Sequence, residues 1–204
     1  MPQSSTAPRR RANSRVAEAQ SLARHLLGHD PRRLRHVAGT ARAAGFVATH
    51  VPDVHEDVVV AAAWLHDIGH AGHLVRSGFH PLDGALYLQE AGWDNAVVGL
   101  VAYHSHCRVV ADHMGLTDDL TQFENPVGLT ADTLTFADVI AGSDGQGVSA
   151  SKGLAKMLHA PSGGTDLPEA VREERYRLLT TSVLAVHAAL AEHGALGRVG
   201  IGPA

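Results

Sequence analysis

VVVAAAWLHDIGH, from Val58 to His70, is an apolar run that ends in a histidine, an aspartate and, three residues on, a second histidine. The first eight residues are apolar on every side. A buried strand would also look like this. The alanines and the length favour a helix, as does the capping-box pattern of Asp53 with Glu56 ahead of the run. A helix apolar all round belongs at the centre of a fold. Gly69 is expected to end it. The run therefore carries His66 and Asp67 into an interior where polar groups are costly.

Working outward, the pattern stays helical. A first helix is expected over Ser14–Leu27. Asp30 is a good N-cap and Pro31 suits the first helical position, where its missing N–H costs nothing. Leu34, Val37, Ala38, Ala41 and Ala48 then form an apolar stripe. Pro81 starts another helix, with His80 at its cap and Gly92 at its end. Further helices are expected over Asn95–His104, Ala131–Ala141, Ser151–His159 and Pro168–His193. "GSDGQG" (142–147) and "APSGGTD" (160–166) read as loops, the first of them flexible. Strand alternation and internal repeats are absent. The expectation is one all-α helical bundle over residues 14–195, with a metal-site core at about 31–142 and a helical extension over 143–195. A disordered basic tail (1–13) precedes it and a flexible tail (196–204) follows.

The totals narrow the function. The chain has 204 residues, 45% of them apolar and 19% charged, which is a globular composition. Its formal charge is −4, so an extended nucleic-acid-binding surface is not expected. The longest apolar runs fall short of the roughly 18 residues of a membrane span. The basic N-terminus lacks the apolar segment of a secretory signal. Cys107 is the single cysteine, which excludes an internal disulfide and fits a reducing compartment. A cytoplasmic location and no membrane partner are the corresponding expectations; a homodimer is left open.

There are 15 histidines against two tryptophans and four phenylalanines. Three helices carry polar residues where a buried face is expected: His36 in the second, His66 and Asp67 at the end of the third, and Asp138 within "LTFADVIAG". A buried carboxylate is costly unless paired or metal-bound. Two imidazoles and two carboxylates suit Mn²⁺, Fe²⁺, Co²⁺, Ni²⁺ or Mg²⁺, and an all-cysteine zinc site is impossible. The bland readings are a satisfied core histidine for His36 and a buried cap or arginine partner for Asp138. His73, His25, His29, His50, His55, His113, His159, His187 and His193 read as surface or loop residues, and His106 is expected to point away from the others.

The order histidine, His-Asp doublet, distant aspartate (His36, His66-Asp67 within "HDIG", Asp138) resembles the HD-domain superfamily of metal-dependent phosphohydrolases. The His-Pro-x-x-Gly segment in "GFHPLDGALYL" strengthens the resemblance, which covers about Pro31 to Gly142. It implies that His36, His66, Asp67 and Asp138 hold a first metal. His80 and His104 fall where ligands to a second ion would lie, with Asp67 as the bridge. His70 occupies a position often filled by glutamate or lysine in relatives, and is the candidate general acid beside Asp67. Lys152, Arg76 and Arg108 are weak candidates for phosphate contact, and Lys156 lies one turn beyond Lys152.

The implied activity is hydrolysis of a phosphate ester or anhydride of a small molecule, nucleotides included, with one or two divalent ions. Two rivals remain: a di-iron oxygenase of the same fold, which needs the same six ligands, and a non-catalytic nucleotide-binding regulatory domain.

Overall fold

The computed structural model describes residues 6–159 and 167–198. It holds ten helices among them: α1 (Thr6–Leu26), α2 (Pro31–His50), α3 (Glu56–Leu65), α4 (His80–Glu90), α5 (Asn95–Tyr103), α6 (Arg108–Met114), α7 (Thr117–Leu120), α8 (Leu129–Ile140), α9 (Ala150–His159) and α10 (Glu169–Glu192). Among the described residues there is no strand, only an isolated bridge between Ala141 and Gly147. The chain is all-α, as the periodicity predicts. No described helix is long and apolar enough to cross a membrane.

The opening run is the central helix. α3 packs against α1, α2, α5 and α8, and Val59, Ala61, Ala62, Ala63, Trp64 and Leu65 are buried. Three alanines in succession let the neighbouring helices approach closely. α8 lies on the other side of α2 and α3 and is itself backed by α10 and α9. Its last eight residues, Thr133 to Ile140, are all buried, so Asp138 sits on a segment with no solvent face.

Several boundaries differ from expectation. α1 begins at Thr6, eight residues inside the stretch read as a tail. Pro8 falls in its first turn, where proline is tolerated, and the arginines that follow are good helix formers. Residues 1–5, the "APSGGTD" loop over 160–166 and residues 199–204 lie outside the described residues. Asp53 does not cap α3: the N-cap is His55, and Glu56 and Asp57 instead place two acids in the first turn, against the positive end of the helix dipole. α3 stops at Leu65, not at Gly69. The chain then enters a 3₁₀ turn (Ile68–His70), in which the His70 amide donates to the Asp67 carbonyl and the Ala71 amide to that of Ile68.

Gly69 has a different task. A Cβ there would lie 2.0 Å from the His80 carbonyl oxygen and 2.7 Å from the Gly84 nitrogen. The two glycines let the His-Asp turn touch the first turn of α4 backbone to backbone. The "HDIG" and "HPLDG" segments are thus two halves of one contact.

The "GSDGQG" loop is not loose. The Gly142 amide donates to the Gln146 carbonyl and the Val148 amide to that of Ile140, making a short hairpin. Its tip rests on α2. Gly145 has φ +78°, and a Cβ there would meet the Arg35 carbonyl oxygen at 2.4 Å, while one on Gly39 would meet Gly145. The glycines serve close approach rather than freedom.

Candidate metal centre

Five helices deliver their polar side chains to one point. α2 brings His36, the end of α3 brings His66 and Asp67, the start of α4 brings His80, the end of α5 brings His104, and α8 brings Asp138. His36 Nε2 is 2.9 Å from Asp138 Oδ1, and His66 Nε2 is 3.6 Å from the same oxygen. Asp67 Oδ1 is 3.7 Å from His66 Nε2 and 3.4 Å from His80 Nε2. His80 and His104 face each other, Nε2 to Nε2, at 3.2 Å. All six residues expected as ligands are therefore brought together.

Two donor groups can be distinguished. His36, His66 and Asp67 each offer an atom within 4.8 Å of the others, and Asp67, His70 and His80 do the same. Asp67 is common to both. His70, expected as an acid, stacks on His80 with ring centroids 4.0 Å apart and lies 3.8 Å from Asp67 Oδ1. Its place is among the donors, one-third exposed at the mouth of the site.

The rings are oriented by the helices that precede them. His66 Nδ1 lies 2.9 Å from the Ala63 carbonyl oxygen and His104 Nδ1 lies 2.7 Å from that of Val101. A carbonyl only accepts, so in both rings Nδ1 carries the proton and Nε2 turns to the centre. His66 Nε2 is buried and has no hydrogen-bond partner. An orphaned imidazole nitrogen between two carboxylates is the signature of a donor set awaiting a cation. The spacings agree. Adjacent ligands of a six-coordinate ion with bonds near 2.1 Å are about 3 Å apart and opposite ones about 4.2 Å. The residues fit a divalent metal.

The electrostatics are those of a site built for positive charge. Burial alone would pull the His66 imidazole down, but Asp67 and Asp138 outweigh it and raise its pKa to about 9. Burial would likewise raise Asp67, yet His66, His80, His36 and Arg33 hold its carboxyl well below the usual range. Asp138 is held low by His36 and His66 against its own burial. His104 goes the other way: burial, with the His66 charge beside it, lowers it to about 4. Burial also pulls His80 well down and His70 down.

Two supporting residues carry no sequence signal of the kind sought. Arg33 Nη1 lies 2.6 Å from Asp67 Oδ2, leaving Oδ1 to face the imidazoles. Its position, one turn before His36 on the same helix face, is the only clue in the sequence. Ser105 Oγ donates to Asp138 Oδ2 at 2.5 Å and so leaves that carboxylate's Oδ1 to His36 and His66. To reach it, Ser105 and His106 both adopt left-handed backbone, with φ +52°. Arg175 Nε donates to the Ser105 carbonyl, and His106 Nε2 meets Ser182 Oγ at 2.8 Å, away from the centre as expected.

The donors floor a cavity of about 820 Å³, which Lys152, Lys156, Arg33 and Arg175 also line. Arg76 does not reach it. Its guanidinium forks onto Glu90 at the surface, at 2.5 and 2.7 Å. Arg108 lines a separate cavity of about 400 Å³ behind His104. Neither is placed for the phosphate contact expected of it: Arg76 sits in the loop before α4 and turns to Glu90, and Arg108 opens α6 beside the other cavity. Cys107 is buried, its Sγ donating to the Ala102 carbonyl and its pKa pushed up to about 12 by burial. Burial of this kind disfavours a thiolate nucleophile.

A family model described as the HD domain matches residues 33–141, just over half of the chain. No curated protein and no solved structure matches it.

Proposed function

The chain belongs to the HD-domain family, and from that premise we propose that it is a metal-dependent phosphohydrolase acting on a phosphate ester or anhydride of a small molecule. The observation that carries the reading is His66 Nε2, buried and unpartnered between the carboxylates of Asp67 and Asp138. His36, His66, Asp67 and Asp138 would hold one ion; His70, His80 and His104 would hold a second, with Asp67 shared. Bound divalent metal supplies acidity to water and neutralises phosphoryl charge. The chain's own residues do the rest. Arg33 fixes the outer oxygen of Asp67 and Ser105 fixes that of Asp138.

Elemental analysis of protein purified without chelators, followed by a phosphatase panel with Mn²⁺, Fe²⁺, Co²⁺, Ni²⁺ and Mg²⁺, tests the reading. We expect bound transition metal and metal-stimulated hydrolysis. Asp67→Ala should lose both while keeping its helical circular dichroism. Unchanged metal content in that variant refutes the site.

A second reading, a di-iron oxygenase, is favoured by the five imidazoles around the shared carboxylate, a nitrogen-rich set that suits Fe²⁺ better than Mg²⁺. Iron in the purified protein with substrate-dependent oxygen consumption, and no hydrolysis across the panel, would decide for it.

A further inference from the structure

We propose that the substrate is a compact, non-nucleoside molecule with two anionic groups, one at the donor cluster and the other held by Lys152 and Lys156 of α9. The inference rests on the phosphoryl-binding reading of the cluster.

The placement of α9 is fixed by packing. A Cβ on Gly153 would lie 2.0 Å from the Val139 carbonyl oxygen, so the helix backbone sits directly against α8 one residue beyond Asp138. Lys152 precedes that contact and Lys156 follows one turn later, on the same helix face. Both line the cavity, and neither forms an ion pair among the described residues.

The other charged groups of the cavity have polar partners. Arg33 pairs with Asp67 and Asp138 with His36, while Asp144 accepts from the Gln146 amide of its own hairpin. Metal bound at the donors would meet one phosphoryl group directly. Two further ammonium groups, exposed in a concave wall and in no ion pair among the described residues, remain for another anionic group. They match a second acidic group, carboxylate or phosphate.

The same wall argues against a nucleoside. A base is held most firmly by stacking on an accessible aromatic face. Apart from the histidines, the aromatic ring among the lining residues is Phe79, which is only 2% exposed. What lies beside the lysines is Met157 and glycine.

The test is calorimetric binding to the Mn²⁺-loaded full chain of a matched pair of non-hydrolysable probes, 3-phosphonopropionate and propylphosphonate. We expect the doubly acidic probe to bind at least about tenfold more tightly. Lys152→Gln with Lys156→Gln should erase that preference while leaving propylphosphonate affinity within twofold. Lys152→Arg with Lys156→Arg should retain it. The inference is overturned by equal affinities in the parent protein, by a preference indifferent to the glutamine changes, or by a nucleoside monophosphate that outcompetes 3-phosphonopropionate. Circular dichroism and metal content monitor the variants' fold and site. A protein that keeps the preference but hydrolyses no ester loses the hydrolase reading and keeps this one. A hydrolase that cleaves singly and doubly acidic esters alike does the reverse.

Discussion

Gly69→Ala tests the contact that couples the His-Asp turn to α4. The added Cβ would start 2.0 Å from the His80 carbonyl oxygen and 2.7 Å from the Gly84 nitrogen. Reaching ordinary contact, near 3.4 Å, needs a displacement of about 1.4 Å. Both neighbours are backbone, so no rotamer change relieves the clash, and α4 must move as a unit. Overpacking of this kind costs about 2–3 kcal/mol. For a chain of this size that lowers Tm by about 6–10 °C. The movement also has a direction. It carries His80 away from Asp67 and His70, while His36, His66 and Asp138 stay on α2, α3 and α8. A site tolerates about 0.5 Å of misplacement before affinity falls. Titration with Co²⁺, followed by absorbance and calorimetry, should show the tighter equivalent within about threefold of the parent and the weaker one lost by about tenfold or more. Gly84→Ala is the graded control, since its Cβ would meet the Gly69 nitrogen at 3.2 Å and should cost about 1 kcal/mol. A Gly69→Ala protein with parental Tm and parental metal isotherm refutes the reasoning.

Three other perturbations are informative. Metal must displace the proton that Asp67 and Asp138 hold on His66, whose pKa is raised to about 9. Binding at pH 7.5 should therefore release about one proton, read from calorimetry in buffers of different ionisation enthalpy, and affinity should climb about tenfold per pH unit from 6.5 towards 9. Zero net release contradicts this. Ser105→Gly removes the hydroxyl from Asp138 but relieves a left-handed backbone at φ +52°. The two effects on stability offset each other to within about 1 kcal/mol, while metal affinity should drop about 10–100-fold; a large loss of stability with unchanged metal affinity would assign Ser105 a purely structural role. The Cys107 thiol, buried with a pKa of about 12, should resist a thiol reagent at pH 8 until the protein is denatured; labelling in the native state speaks against the packing described.

The sequence carried unequal information about these parts. α3 was legible because a run apolar on all sides has one place to go, and His36, His66, Asp67, His80, His104 and Asp138 followed from the doublet's context. Arg33 was not, since it acts through Asp67, remote in the chain, and a lone arginine on a helix face reads as solvated. The left-handed pair Ser105–His106 contains no glycine or asparagine, so nothing local announces it. The close packing of the "GSDGQG" loop on α2 is not legible in the loop itself, because flexibility and close approach both call for glycine. Only Gly39, on another helix, tells them apart. α6 and α7 fill a stretch whose short apolar segments show no sustained period. Arg76 and Arg108 lie near ligands in sequence, but the fold turns Arg76 to Glu90 and Arg108 to a different cavity.

The matching ends of α3 and α5 have an electronic consequence. An imidazole backed by a carboxylate becomes a strong electron donor, but His66 and His104 are backed by the neutral peptide carbonyls of Ala63 and Val101. The backing partner by itself leaves both lone pairs less basic than those of carboxylate-backed rings, and the high pKa of His66 comes from Asp67 and Asp138 at its other nitrogen. A cation held here gives up less of its own electron-withdrawing power than one held by carboxylate-backed histidines. The two helix ends thus trade some grip on the ion for a more acidic centre.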